Sequence, residues 1–297
     1  MKDLFEIYES FRIPDFINRR FKPDFLNNTI DKIINRKPEI FKVEKLGNSF
    51  EGRPICMIKL GTGRKIILLW SQMHGDESTA TMAIADIFNY FSSNIDENEK
   101  KDLLTKITLL FIPMLNPDGT ERHQRRTAQF IDMNRDAIAL VTPEARILKR
   151  VQNQYQPEFG FNLHDQELST VRGTKEISAM AFLAPAMDNE KSDNEVRVRA
   201  KKIAAFLTER MMEYVSGKIT RYDDGYEPRA FGDSIQTWGT STVLIESGHT
   251  IGDPEKFFVR KLNAVGMLSA FYAIASERYV GSDISTYENL PGNSQRD

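Results

Sequence analysis

A chain of 297 residues is long enough to bury a large core as one α/β domain, or to split into two. Its net charge of −2 and isoelectric point near 6.2 offer nothing that would attract nucleic acid or an anionic membrane, and 28% charged with 40% hydrophobic residues is ordinary for a globular protein. Cys56 is the one cysteine, which excludes an internal disulfide; set in an apolar, strand-like stretch, it reads as a buried inert thiol.

Residues 1–38 interleave aromatic positions (Phe5, Tyr8, Phe11, Phe16, Phe21, Phe25) with charged ones, and Pro14 and Pro23 break any long helix. Short helices forming an N-terminal extension packed on the main domain are expected there. Met1 to Glu6 lacks the basic start and apolar stretch of a signal peptide, and no apolar run approaches membrane-spanning length. The expectation is a cytoplasmic chain with no membrane or nucleic-acid partner. A single main α/β domain is expected over 39–280. Strands at 40–46 and 54–60 flank a turn-rich connection, and Gly61-Thr62-Gly63 leads into Lys65-Ile66-Ile67-Leu68-Leu69-Trp70. A run that short and rich in Ile and Leu predicts a strand buried on both faces.

A helix through Phe91 follows, then an apolar strand over 107–114 that ends at Asn116-Pro117-Asp118-Gly119, strong turn chemistry. After a polar loop carrying Arg122, Arg125 and Arg126, Thr142 and Pro143 open a helix as cap and first helical residue. A strand over 159–163 ends at His164, and a polar loop over 165–175 precedes another strand at 178–183. A long amphipathic helix covers 190–215, residues 225–239 read as loop, and a buried strand over 242–245 ends at Glu246. The last helix runs over 254–278, and the polar tail, 281–297, is expected to fray.

Three apolar strands thus lead to metal-binding or acidic residues: His74 with Glu77, His164, and Glu246. His74 and Glu77 are three apart, so a single turn points both side chains the same way. Of four histidines (His74, His123, His164, His249), two stand at strand ends, where open α/β sheets bind ligands. Two imidazoles and one carboxylate leave an open fourth position on zinc, as hydrolysis needs. Nothing in the sequence assigns a task to His123 or His249.

In order along the chain, His74-x-x-Glu77, Asn116-Pro117-Asp118-Gly119, Asp132-x-Asn134-Arg135, His164 and Glu246 resemble the zinc carboxypeptidases of the carboxypeptidase A type, the M14 metallopeptidases. The likeness runs from about Glu51 to the last helix and leaves the first 38 residues outside. It implies a central mixed, twisted β-sheet flanked by helices. It implies one zinc ion held by His74, Glu77 and His164, the ligand set of carboxypeptidase A, and Glu246 as general base. Arg125 matches the arginine that polarises the scissile carbonyl, though Arg122 and Arg126 are near enough to compete for that place. Asn134 and Arg135 match the pair that grips the substrate's terminal carboxylate, and Asp132 the carboxylate that orients the first histidine.

The sequence departs from the family pattern in places. The family's mobile tyrosine, about twenty residues before the base, has Tyr226 as its nearest counterpart here, but counting does not land on it. Arg229 and Asp233 are unexpected charges near the implied pocket, and Asp165-Gln166-Glu167 follows His164 where the digestive enzymes have small polar residues. The expected activity is removal of a C-terminal residue from a peptide. A deacylase or amidase acting on N-acyl amino acids or cell-wall peptides, of the succinylglutamate desuccinylase/aspartoacylase type, is the alternative, and a metal-free binding module on the same fold is the non-enzymatic one.

Overall fold

The computed structural model describes residues 3–295; Met1, Lys2, Arg296 and Asp297, which belong to the expected extension and tail, lie outside the described residues. The chain begins with α1 (Leu4–Ile7), capped by the Asp3 side chain, and α2 (Pro23–Ile34), which opens with proline where no backbone N–H is needed. Then come β1 (Phe41–Asn48), β2 (Pro54–Leu60), β3 (Lys65–Trp70), α3 (Thr79–Ser92), α4 (Glu97–Lys106) and β4 (Ile107–Ile112). Helices α5 (Pro117–Arg122) and α6 (Pro143–Tyr155) lead to β5 (Phe159–Asp165), β6 (Ser169–Val171) and β7 (Met180–Leu183). The chain continues through α7 (Glu195–Val215), β8 (Ile219–Arg221), α8 (Phe231–Thr237), β9 (Ser241–Ser247), α9 (Phe257–Ala275), α10 (Ile284–Glu288) and β10 (Asn293–Gln295).

Among the described residues, eight strands form one mixed sheet in the order β1-β2-β4-β3-β5-β9-β7-β8. Strands β4, β3, β5 and β9 run parallel and form its centre. Side chains alternate across a strand, so Ile67 and Leu69 of β3 enter one core with α3, α7 and α9, while Leu68 and Trp70 enter a second with α6 and α8. All four are fully buried, which is why β3 reads as a continuous apolar run without alternation. The sheet between two helical layers is the mixed α/β architecture that the motifs imply.

Four local expectations are corrected. The Asn116-Pro117-Asp118-Gly119 segment is the start of α5, because the Asn116 side chain accepts from Gly119 N at 2.9 Å and caps a helix that Pro117 enters without penalty. The loop over 225–239 contains α8, whose Phe231 and Ile235 are anchored in the second core. The loop after His164 and the described part of the tail pair with each other: β6 and β10 form a two-stranded antiparallel sheet. Finally, α9 is long and apolar enough to cross a membrane, with a mean hydropathy of 1.2, although the sequence suggested no such run. Arg260 and Lys261 near its start obscure its length; 78% of its most apolar window is buried in the fold, packed on α3 and α7 as the core helix of a globular domain.

Candidate active site

Strands β3, β5 and β9 are parallel neighbours, so their C-terminal ends open on one edge of the sheet. His164 and Glu246 stand side by side in register, on the opposite face from Leu163 and Ile245. His74 and Glu77 come from the loop after β3, which turns sharply through Gln72 in the left-handed region (φ 46°). Asn116 fastens that loop, donating from Nδ2 to the Met73 carbonyl at 3.2 Å and from its backbone N to the Gln72 carbonyl at 2.9 Å. A Cβ on Gly75 would lie 2.0 Å from the Gly119 carbonyl carbon, so only glycine lets this loop lie flat on α5. The Asn-Pro-Asp-Gly segment therefore serves the site by carrying the backbone that holds His74.

His74 Nδ1 lies 2.7 Å from Glu77 Oε1, and His164 Nδ1 lies 2.7 Å from Glu77 Oε2. One donor atom from each residue falls within 4.8 Å of the others, and all three residues are buried. Asp132 Oδ1 is 3.1 Å from His74 Nε2, which fixes the ring with Nδ1 turned inward. Two imidazole nitrogens and a carboxylate, converging from a buried wall, fit zinc in donor type and number. Among the described residues, Glu246 Oε2 and His164 Nε2 are buried without a protein partner beside this cluster, so the site holds polar groups that these residues leave unsatisfied.

Of the three arginines in the loop, Arg125 reaches the cluster. Its Nη1 donates to Glu77 Oε1 at 3.1 Å, and Nε and Nη2 donate to Asp132 Oδ2 at 3.2 and 3.0 Å. Arg122 turns to Glu51, and Arg126 to the Phe130 carbonyl. Arg135 donates to the Asn134 carbonyl at 2.6 Å and lies 3.5 Å from Glu227. The Asn134 side-chain oxygen accepts from Phe231 N at 2.9 Å, tying this wall to α8.

A cavity of about 530 Å³ is lined by His74, Glu77, His164, Arg125, Asn134, Arg135 and Glu246 together. Asp132 stands behind it, in contact with His74 and Arg125. Tyr222 also lines it, whereas Tyr226 does not. Arg229 is exposed and bonded to Glu227, and Asp233 is buried and accepts from Glu227 N, so neither faces the cavity. No pattern in the sequence marks Tyr222, which stands in an irregular stretch just after β8. Arg19 and Lys256 on the same wall were equally invisible.

Electrostatically the cluster is uneven. Burial alone would discharge the His74 imidazole, but the Glu77 charge and the bonds to Asp132 and Glu77 hold it up at about 9. At His164 burial prevails and pushes the imidazole down. Burial opposes the charge of Glu77 too, yet the two imidazoles hold that carboxyl far below the usual range. Glu246 is driven well above it, first by burial and then by the neighbouring Glu77 charge. Tyr222 is pushed up to about 12, first by the Glu246 charge and then by burial. A strongly acidic carboxyl and a proton-retaining one side by side are the usual sign of divided roles.

A buried His-Glu-His set at parallel strand ends, with a free carboxyl beside it, is a donor arrangement that could hold a metal ion on a mixed α/β sheet. The sheet and its helices match the metallo-carboxypeptidase from Burkholderia cenocepacia with a TM-score of 0.69 over 87% of this chain and 70% of that one, a likeness of fold at 15% identity. Residues 26–139 match the family described as zinc carboxypeptidase, Peptidase_M14. The carboxypeptidase B of Astacus astacus is 33% identical over 99 residues, 32% of each chain. A probable carboxypeptidase 2 of Arthroderma benhamiae is 26% identical over 159 residues, 52% of this chain and 29% of that one. Residues 26–139 thus resemble the zinc carboxypeptidase (M14) family, and the fold as a whole is that of the metallo-carboxypeptidase structure. The chain spans a third or less of the length of these two curated relatives. The family match begins at residue 26, inside α2 and ahead of the Glu51 start that the motifs suggest. It includes His74, Glu77, Arg125, Asp132, Asn134 and Arg135 and stops short of His164 and Glu246.

Proposed function

We propose that the chain is a zinc-dependent metallocarboxypeptidase that hydrolyses the C-terminal peptide bond of peptide substrates. The observation that carries this reading is one cavity holding both the His74–Glu77–His164 set beside Glu246 and, on its wall, the half-exposed Arg135 with Asn134. An endopeptidase has no use for a carboxylate clamp near its metal, whereas a carboxypeptidase must hold a terminal carboxylate there.

His74, Glu77 and His164 hold the metal in this reading, with Asp132 orienting His74. When bound, zinc supplies Lewis acidity and a water acidic enough to react near neutral pH. Arg135 takes the terminal carboxylate on its planar fork, helped by the Asn134 amide nitrogen, and so sets the scissile bond over the cluster. Glu246, buried beside the cluster, would in its ionised form take the proton of the attacking water and return it to the leaving amine. Arg125 donates to the oxygen that becomes negative, with part of its guanidinium already fixed on Asp132. Tyr222, on the cavity wall and near enough to Glu246 to feel its charge, closes over the substrate.

The test is mass spectrometry of a mixed peptide pool incubated with the protein, with and without a chelator. Shortening from the C-terminus that the chelator stops supports the reading, and the residues lost report the pocket's preference. Absence of shortening, with turnover of N-acyl amino acids or cross-linked cell-wall peptides instead, replaces it with the deacylase reading.

A further inference from the structure

Arg19 lies outside the residues that match the zinc carboxypeptidase family, yet it touches the last residue of β5 and the connections that follow β3 and β9. Its carbonyl accepts from Ser78 Oγ at 2.7 Å, and Ser78 directly follows Glu77. Its Nη1 donates to Asp165 Oδ2 at 3.0 Å, and Asp165 directly follows His164. Its backbone N donates to Glu255 Oε2 at 2.8 Å, in the connection between β9, which carries Glu246, and α9. One residue thus joins the end of β5 to the connections leaving β3 and β9.

Asp165 is the contact through which this matters. Its backbone N donates to Glu77 Oε2 at 3.2 Å, the same oxygen that lies against His164. Its carboxylate takes Arg19, Thr79 Oγ1 at 2.6 Å and Lys256 Nζ at 3.5 Å, and its side chain is 5% exposed. All three donors meet Oδ2, so the side chain is anchored through one oxygen, and that anchor holds in place the residue whose backbone N–H donates to Glu77. The segment carrying Arg19 is itself rooted away from the site: Tyr8 OH and Ile13 N both donate to the buried Asp86, at 2.6 and 2.8 Å.

We propose that Arg19 is a positioning residue for the metal centre: through it the N-terminal segment ties the end of β5 to the connections that follow β3 and β9, fixing Asp165 and thereby Glu77. This inference rests on the metal-centre reading above. Its test is zinc affinity of the full chain, measured by competition with a chromophoric chelator, alongside the denaturant midpoint. Arg19→Ala is expected to lower zinc affinity by about 10- to 100-fold. Arg19→Lys, which keeps a charge for Asp165, recovers part of that loss. Tyr8→Phe, which loosens the same segment at its root, lowers the denaturant midpoint but leaves zinc affinity within about twofold. Asp165→Asn, which keeps the backbone N–H but weakens the ion pair, carries the same expected loss if Arg19→Ala does not fold.

Unchanged affinity in the Arg19 and Asp165 variants, an equal loss in Tyr8→Phe, or no zinc bound by the unmodified chain overturns the proposal. Peptide shortening by the unmodified chain together with unchanged affinity in Arg19→Ala refutes this inference and leaves the carboxypeptidase reading standing. Arg19-dependent zinc binding without peptide shortening does the reverse.

Discussion

Two buried ionic clusters in this molecule make opposite use of the same kinds of groups. In the core, Asp86 and Arg260 are both fully buried, and Asp86 accepts four hydrogen bonds, from Arg260 Nε and Nη2, Tyr8 OH and Ile13 N, at 2.6–2.8 Å. Arg260 also lies 5.0 Å from the Phe16 ring, and its Nη1 has no hydrogen-bond partner among the described residues. At the sheet edge, His74, Glu77, His164 and Glu246 are nearly as buried, but among the described residues Glu246 Oε2 and His164 Nε2 have no partner, and all four residues face a cavity. A saturated carboxylate in a packed core fastens elements together; an unsaturated one facing a cavity is available to a metal, a proton or a substrate. Burial of charge alone does not separate the two cases. What separates them is how many lone pairs the fold leaves free, and where they point.

Breaking each cluster should have a different signature. Glu246→Gln is expected to reduce peptide turnover by about 10³-fold while zinc content stays at the unmodified level; substantial turnover in that variant would remove Glu246 from the role of base. Asp86→Ala strands Arg260 in the core and should cost about 3–5 kcal/mol in denaturant unfolding. A loss below about 1 kcal/mol would show that the core pair contributes little to stability. Arg135→Ala should raise KM by roughly 10- to 100-fold with kcat little changed, because the clamp grips ground state and transition state alike. A fall in kcat at constant KM would instead place Arg135 in the chemical step.

Asp233 sharpens the comparison, since it is a buried acid that belongs to neither cluster. Burial pushes its carboxyl up to about 6 from an ordinary 3.8. The folded state therefore binds its proton more tightly than the unfolded chain, and the associated stability, present below pH 4, is lost as pH rises through 6. Asp233→Asn should be as stable as the unmodified chain near pH 3.5 and more stable by about 2 kcal/mol at pH 7. Equal denaturant midpoints at both pH values would show that the buried carboxylate finds compensation elsewhere.

The centre of this protein was legible from its residues alone. Short Ile- and Leu-rich runs read as buried strands, and the polar residues ending them, His74, Glu77, His164 and Glu246, stand out because the contrast falls at a strand end. Asp132, Asn134 and Arg135 were legible as part of an ordered motif set. Packing supplied the rest. Strands β6 and β10, three residues each and far apart in the chain, carry no periodicity of their own; Asn293 meets Gln166 across 127 residues, and nothing local announces it. Tyr222 rather than Tyr226 lines the cavity because the chain leaves β8 before it turns, which no count of residues back from Glu246 reveals. Arg19 reaches Asp165 across 146 residues of sequence. Composition and spacing record which chemistry a chain carries, whereas long-range hydrogen bonds and ion pairs are fixed only when the layers pack and bring remote segments together.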